Sequence, residues 1–210
     1  YRDVNIGLAN QFARYADAVG IDVARVIEAC NSQPYSHIHR PGIAVGGHCI
    51  PVYPRLYLAG DPEATVVSAA RAANAAMPAY AVARAAALLG SLAGLRVAVL
   101  GAAYRGGVKE TAFSGVFGVV DALREAGARV SVHDPLYSDE ELAAFGWDAY
   151  HLGEPADVAI IQADHADYRD LTPADLPSVR LLVDGRAITS PEAWAGTPRI
   201  TIGGGSAPAC

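Results

Sequence analysis

The sequence predicts an α/β protein in two parts: a helical domain at about 1–90, then a Rossmann-like domain with a parallel sheet at about 95–205. Three observations predict it. Through the first ninety positions apolar residues recur at the threes and fours of helix faces. Between Gly90 and Gly94 the character changes. Beyond that point short apolar runs with a β-branched bias alternate with loop and helix signals, which implies parallel strands joined by right-handed crossovers and covered on both faces.

Val4, Leu8, Phe12, Tyr15 and Val19 mark one apolar face of a first helix over 2–19, and Gly20 can end it. Asp22 stands where an N-cap belongs, ahead of a second stripe of Val23, Val26, Ile27 and Cys30. Residues 31–54 hold four prolines and three glycines, so the segment reads as mostly irregular loop. Asp61-Pro62-Glu63 opens a third helix, and the alanine-rich run to Leu89 continues it for about 40 Å, kinked or interrupted at Pro78. So many alanines permit close helix approach, and a helix of that kind commonly packs against a second copy of itself. "LRVAVLG", "ARVSVHDP", "ADVAIIQAD" and "VRLLVDGR" are the strands, with a helix over 114–125 after the first.

Composition narrows the function classes. A net charge of -6 and a pI near 5.4 argue against a nucleic-acid binder that neutralises phosphates with a basic stripe. Cys30, Cys49 and Cys210 form neither a disulfide framework nor a zinc pattern, so a reducing cytoplasm is expected. No uninterrupted apolar span or secretory signal is visible. The chain opens on Tyr1 inside helical sequence, as a piece of a longer polypeptide would.

The chemistry concentrates in "RPGIAVGGHCIPVYP", residues 40–54. A thiol becomes a useful nucleophile where it is partly exposed and backbone N–H groups or positive charge favour its thiolate. Gly46 and Gly47 let the main chain approach a ligand, while His48 and Arg40 can supply charge or proton transfer. Most cysteines pack as small hydrophobes, and Cys30 on its helical stripe reads that way. His37, His39, His48 and Cys49 are all metal-ligand types, but their spacing fits no common zinc site, so no metal is expected.

"NIGLANQFARYADAVGIDVARVIEACN" followed by "PGIAVGGHCIPVYP" resembles the central domain and catalytic-cysteine loop of the UDP-glucose/GDP-mannose dehydrogenase family, nearest to its UDP-N-acetyl-hexosamine oxidising branch. "VAVLGAAYRGGVKETAFSG" and "LLVDGR" resemble the family's UDP-binding domain. The resemblance implies an NAD-dependent 6-dehydrogenase that oxidises a nucleotide-sugar alcohol to a uronic acid through a thiohemiacetal and a thioester on Cys49. It implies substrate contacts from Arg40, Pro41, Gly42, Ile43, Ala44, Val45 and Gly46, and from Tyr104, Arg105 and Arg186 in the second domain. Both arginines follow predicted strand ends, where ligands of open α/β sheets collect, and a guanidinium fork suits a diphosphate. A homodimer through the alanine-rich helix is implied as well.

"VAVLGAAYRGG" lacks the G-x-G-x-x-G spacing of a dinucleotide site, so Asp134 reads as a strand-end turn residue and the domain as the nucleotide-sugar half. Family members carry an NAD-binding domain, and a catalytic lysine and asparagine, upstream of the point matching Tyr1; this chain alone is expected to be inactive. The family's water-activating aspartate is Tyr53 here, and a phenol of pKa about 10 is a poor base. Its NAD-contacting arginine is Ala112, with Lys109 or Glu110 as substitutes. A catalytically silent nucleotide-sugar-binding and dimerisation module is a second reading, and a thiol hydrolase based on Cys49 and His48 a third. Which sugar and which nucleotide bind stays open in the sequence.

Overall fold

The computed structural model describes residues 1–205, so Cys210 lies outside the described residues. Five helices come first: α1 Arg2–Val19, α2 Val23–Asn31, α3 Cys49–Gly60, α4 Thr65–Ala75 and α5 Met77–Leu89. A six-stranded, all-parallel sheet follows, built from β1 Arg96–Leu100, β2 Arg129–His133, β3 Asp148–Ala149, β4 Val158–Ile161, β5 Leu181–Asp184 and β6 Arg199–Thr201. Its order is β3-β2-β1-β4-β5-β6, so the chain reverses direction across the sheet between β1 and β4. Helices α6 Gly115–Glu125 and α7 Asp139–Ala144 complete the elements.

Local chemistry sets the helix ends. Gly20 adopts φ 76° and its N–H donates to the Ala16 carbonyl, closing α1. The Asp22 carboxylate accepts the Ala24 N–H and starts α2. Ser114 does the same for α6 through Val116. The alanine-rich run is interrupted next to Pro78, which occupies the second position of α5.

Three sequence expectations are corrected. The loop expected over 31–54 ends at His48, because α3 begins at Cys49 and takes in both prolines. Pro51 falls among the first N–H groups, which have no helical acceptor anyway; Pro54 sits inside the helix. The next helix begins at Thr65 rather than Asp61, since the Asp61 N–H is spent on the Tyr57 carbonyl at the end of α3. The large apolar side chains marked on α1 lie mostly outward, with Leu8 45% and Tyr15 65% exposed. Its buried face is instead Asp3, Gly7, Ala9, Asn10, Ala13, Ala16 and Asp17. Close approach explains this: a Cβ on Gly7 would stand 3.0 Å from Ala70 of α4, leaving no room for a bulky face.

One apolar cluster runs from α1 and α2 through Ile43 and α5 to α6 and one face of the sheet. The opposite face is covered by Tyr150, Tyr168, Leu171, Leu176 and Trp194. There the β4–β5 crossover uses short 3-10 turns at Ala166–Tyr168 and Pro173–Asp175 instead of an α-helix. Strands β3 and β6, of two and three residues, are too short to show a period in sequence. Among the described residues no helix is long and apolar enough to cross a membrane.

The start of β1 carries a bidentate ion pair. Arg96 donates from Nε and Nη2 to Asp157, both at 3.0 Å, and its backbone N–H adds a third bond. The Arg96 guanidinium holds the Asp157 carboxyl well down, at about 2. A carboxylate depressed on folding stabilises the protein above its unfolded pKa of about 4, and that stability is lost as pH falls toward about 2. Because the Arg96 side chain is nearly half exposed, about 1 kcal/mol is expected. Urea midpoints measured between pH 6 and pH 2.5 should fall less steeply below about pH 4 in Asp157→Asn than in the parent.

Candidate functional site

Three asparagines hold the upstream arm of the cysteine loop. Asn5 donates to the His37 carbonyl at 2.7 Å and accepts the His39 N–H at 2.8 Å. Asn31 makes both bonds to Ile38. Asn10 accepts the Gly42 N–H at 3.0 Å and donates to Asn74 at 2.8 Å. Asn74 in turn donates to the buried Asp3, which is ion-paired to Arg71 at 2.8 Å. A continuous polar chain therefore runs from α4 through α1 to the loop, entirely inside the helical layer. Satisfied buried networks of this kind fix one geometry.

The next residues press the loop onto the C-terminal edge of the sheet. Ile43 is fully buried and fills the space a side chain on Gly185 would need, just after β5. Ala44 fills the equivalent space over Gly115, at the start of α6. A Cβ on Gly46 would come 2.5 Å from that of Tyr104, so only glycine permits this contact. Gly47 adopts φ +84°, lies against the Tyr104 ring, and donates its N–H to the Ala112 carbonyl at 2.8 Å. The segment 42–47 is thus wedged between the loops that follow β1 and β5, beside the β1/β4 switch point.

Those loops are stiffened from below. Gln162, fully buried, donates to the Gly101 and Ala103 carbonyls and to Ser114 Oγ. Arg186 donates from Nε to the Gln162 carbonyl at 2.6 Å, and its Nη1 lies where a Cβ on Gly42 would approach to 3.0 Å. Burial pulls the Arg186 guanidinium below its ordinary value, with the Asp164 carboxylate acting in the opposite sense. Asp134, at the end of β2, accepts the N–H groups of Ala102, Ala103 and Leu136 and pairs with His165 at 3.0 Å. These partners hold its carboxyl below the usual range despite burial, which acts to raise it. With its oxygens so engaged, Asp134 ties the loop after β1 to the turn after β2, as a strand-end turn residue does.

Cys49 is exposed and is the first residue of α3, the helix end that favours negative charge. His48, just before it, contacts Glu110 through Nε2 and Oε2 at 3.3 Å. The Ala112 N–H and then His48 hold the Glu110 carboxyl below its usual range. Tyr53, one helical turn beyond Cys49, is 63% exposed. Lys109 is committed elsewhere, in an ion pair with Glu141 and over the Tyr137 ring. Beside Ala112, Phe113 carries the Arg55 guanidinium 4.9 Å from its ring centre.

Five of the residues named from sequence line two clefts, while Cys49, Tyr104 and Arg105 line neither. Arg40, Pro41 and Arg186 line one of about 630 Å³ between α2 and the ends of β5 and β6. Ala44 and Val45 line another of about 470 Å³ with Arg55, Arg71 and Phe113. Arg105 is exposed and lies 5.9 Å from the Tyr104 ring centre. Sequence reasoning missed Asn5, Asn10, Asn31, Asn74, Asp3 and Gln162. The signal for the α1 members was present: Asp3, Gly7, Asn10 and Asp17 recur at helical spacing, a small and polar face that an apolar search passes over.

The comparisons agree with this architecture. The central-domain model of the UDP-glucose/GDP-mannose dehydrogenase family matches residues 1–76, and the family's UDP binding domain matches 98–191. A UDP-N-acetyl-D-mannosamine dehydrogenase of Pyrococcus horikoshii is 36% identical over 200 residues, covering 90% of this chain and 46% of that protein. A solved UDP-D-ManNAc dehydrogenase structure from the same organism superposes with a TM-score of 0.81 at 32% identity, covering 97% of this chain and 49% of that one. A UDP-glucose dehydrogenase structure from Pyrobaculum islandicum gives 0.83 at 26% identity, with 96% and 48% covered. The chain spans about half the length of the relatives it matches. It belongs to the UDP-glucose/GDP-mannose dehydrogenase family, as a chain carrying that family's central and UDP-binding domains.

Proposed function

We propose that this chain is the substrate-holding part of an NAD-dependent 6-dehydrogenase, which converts the C6 alcohol of a UDP-sugar to a uronate. One observation carries the reading: an exposed cysteine at a helix start, reached by a loop that the sheet edge and three asparagines hold in place. The region 1–90 carries the nucleophile, and 95–205 holds the nucleotide. Tyr104 and Arg105 stand at the β1 end for the UDP moiety, while Arg186 braces the loop from beneath as well as lining the neighbouring cleft.

Within this reading NAD⁺ supplies the hydride-accepting capacity. The residues of this sheet fit it poorly, since the Asp134 carboxylate is engaged by three backbone N–H groups and His165, and the G-x-G-x-x-G spacing is absent. What this chain contributes is the thiol that adds to the C6 aldehyde carbon and the loop that orients the sugar. We place the protein in the cytoplasm as a homodimer. The alanines of α4 and α5 serve α1 and α6 on their buried side, and Ala72, Ala79 and Ala83 remain exposed for a second copy.

Turnover tests the reading. The complete polypeptide, given NAD⁺ and a panel of UDP- and GDP-sugars, is expected to yield two NADH per uronate with a UDP-N-acetyl-hexosamine. Absence of NADH with every sugar in the panel would overturn it. Arg105→Ala is expected to weaken UDP-sugar affinity about ten- to a hundredfold, the loss of a charge-assisted hydrogen bond, as read by calorimetry.

A further inference from the structure

We propose that His48, oriented by Glu110, is the base that activates water to hydrolyse an acyl thioester on Cys49. The inference deepens the function proposed above and rests on it. A thioester intermediate must be released by water, and water at neutral pH needs a base in hydrogen-bond reach. Tyr53, on the helical turn after Cys49, is a phenol and a poor base. The Lys109 ammonium is bound to Glu141. His48 is the imidazole immediately before the nucleophile.

Three features fit the role. The Glu110 carboxylate only accepts hydrogen bonds, so its 3.3 Å contact with His48 assigns the proton to Nε2 and leaves the Nδ1 lone pair free. Glu110 is itself fixed: Oε1 accepts the Ala112 N–H at 2.8 Å, and its carbonyl accepts the Tyr104 N–H at 3.0 Å. A carboxylate that fixes the tautomer of an imidazole base is the pairing hydrolytic sites use. The side chains of His48 and Glu110 are 69% and 41% exposed, so solvent reaches them. Neighbouring residues suit this task better than direct thiol deprotonation. One water between base and acyl carbon sets the base roughly 5–6 Å from the sulfur, a span that side chains of consecutive residues cover.

The step balances. The Nδ1 lone pair takes a proton from water as its oxygen adds to the acyl carbon; the tetrahedral adduct expels the Cys49 thiolate and leaves a carboxylic acid. The imidazolium then returns its proton to the sulfur. His48 is the catalytic residue, and Glu110 is a positioning residue.

The test needs neither NAD⁺ nor sugar. In a Cys30→Ser/Cys210→Ser background, p-nitrophenyl acetate transfers its acetyl group to Cys49 Sγ with release of p-nitrophenolate, and deacetylation is followed by intact mass. His48→Asn and His48→Gln are expected to slow deacetylation about a hundredfold while acetylation changes less than about threefold. Glu110→Gln, which keeps an acceptor for Ala112, is expected to slow deacetylation about tenfold, with recovery in Glu110→Asp. Unchanged deacetylation in both His48 variants would overturn the proposal, as would loss of acetylation in both. The parent protein's turnover with UDP-sugars reports separately: a His48-dependent deacetylation in a protein that makes no uronate sinks the proposed function and leaves the base intact.

Discussion

Cys49→Ala is expected to leave UDP-sugar affinity within about threefold of the parent while uronate formation in the complete polypeptide falls by at least about a thousandfold, or about 4 kcal/mol of barrier. The split follows from the placement of the residue. Cys49 begins α3 and is exposed, whereas the contacts that shape the loop come from Gly42, Ile43, Gly46 and Gly47, upstream of it. On the proposed reaction, removing the sulfur deletes the bond-forming atom without disturbing those contacts. Oxidation to the aldehyde does not require the thiol, so the variant should accumulate aldehyde or its hydrate, detected by trapping with a hydroxylamine. Uronate at a near-parent rate would show that Cys49 is not the nucleophile. A parallel loss of UDP-sugar binding would instead make it a packing residue.

The fold was largely legible because each strand of the sheet centre is a continuous apolar run: β1, β4 and β5 are buried almost throughout. What escaped the sequence shares one physical cause. Periodicity reports side-chain size and hydropathy, whereas the α1/α4 contact is decided by how near two backbones come, at Gly7 and Ala70. The bulky residues of α1 were therefore visible and pointed the wrong way. Similarly, Pro51 and Pro54 read as loop residues, although α3 starts at Cys49, so Pro51 falls in its first turn at no hydrogen-bond cost and only Pro54 gives up a helical bond. In the site, the glycines and the cysteine were evident from their clustering. Arg186 was named as a ligand contact, but its bond to the Gln162 carbonyl, formed across strands β4 and β5, has no trace in local sequence. The same holds for Glu110, 62 positions from the His48 it meets.

The polar chain behind the loop makes the strongest stability prediction. Asp3 is 2% exposed and accepts from Arg71 Nη2, Arg71 Nε and Asn74 Nδ2, each at 2.8 Å. Asp3→Ala would leave a mostly buried guanidinium without its acceptor and take one of two acceptors from the buried Asn74 amide, which keeps the Asp3 carbonyl at 3.0 Å. Breaking one side of such a pair costs about 3–5 kcal/mol, against a total stability that for domains is typically about 5–15 kcal/mol. The urea midpoint should fall accordingly with an unchanged slope, since the surface exposed on unfolding is nearly the same. Replacing both charges, Asp3→Leu with Arg71→Met, removes the uncompensated cation and is expected to recover more than half of the loss. The damage should also travel. With the carboxylate gone and only the Asp3 carbonyl left to it, Asn74 holds Asn10 less firmly, and Asn10 accepts the Gly42 N–H, so Cys49 acetylation by p-nitrophenyl acetate should become less selective over Cys30 in the single variant and regain selectivity less completely than stability in the double one. A loss below about 1 kcal/mol in Asp3→Ala would mean that solvent reaches Arg71 and satisfies it, and the helical layer would then not be what fixes the cysteine loop.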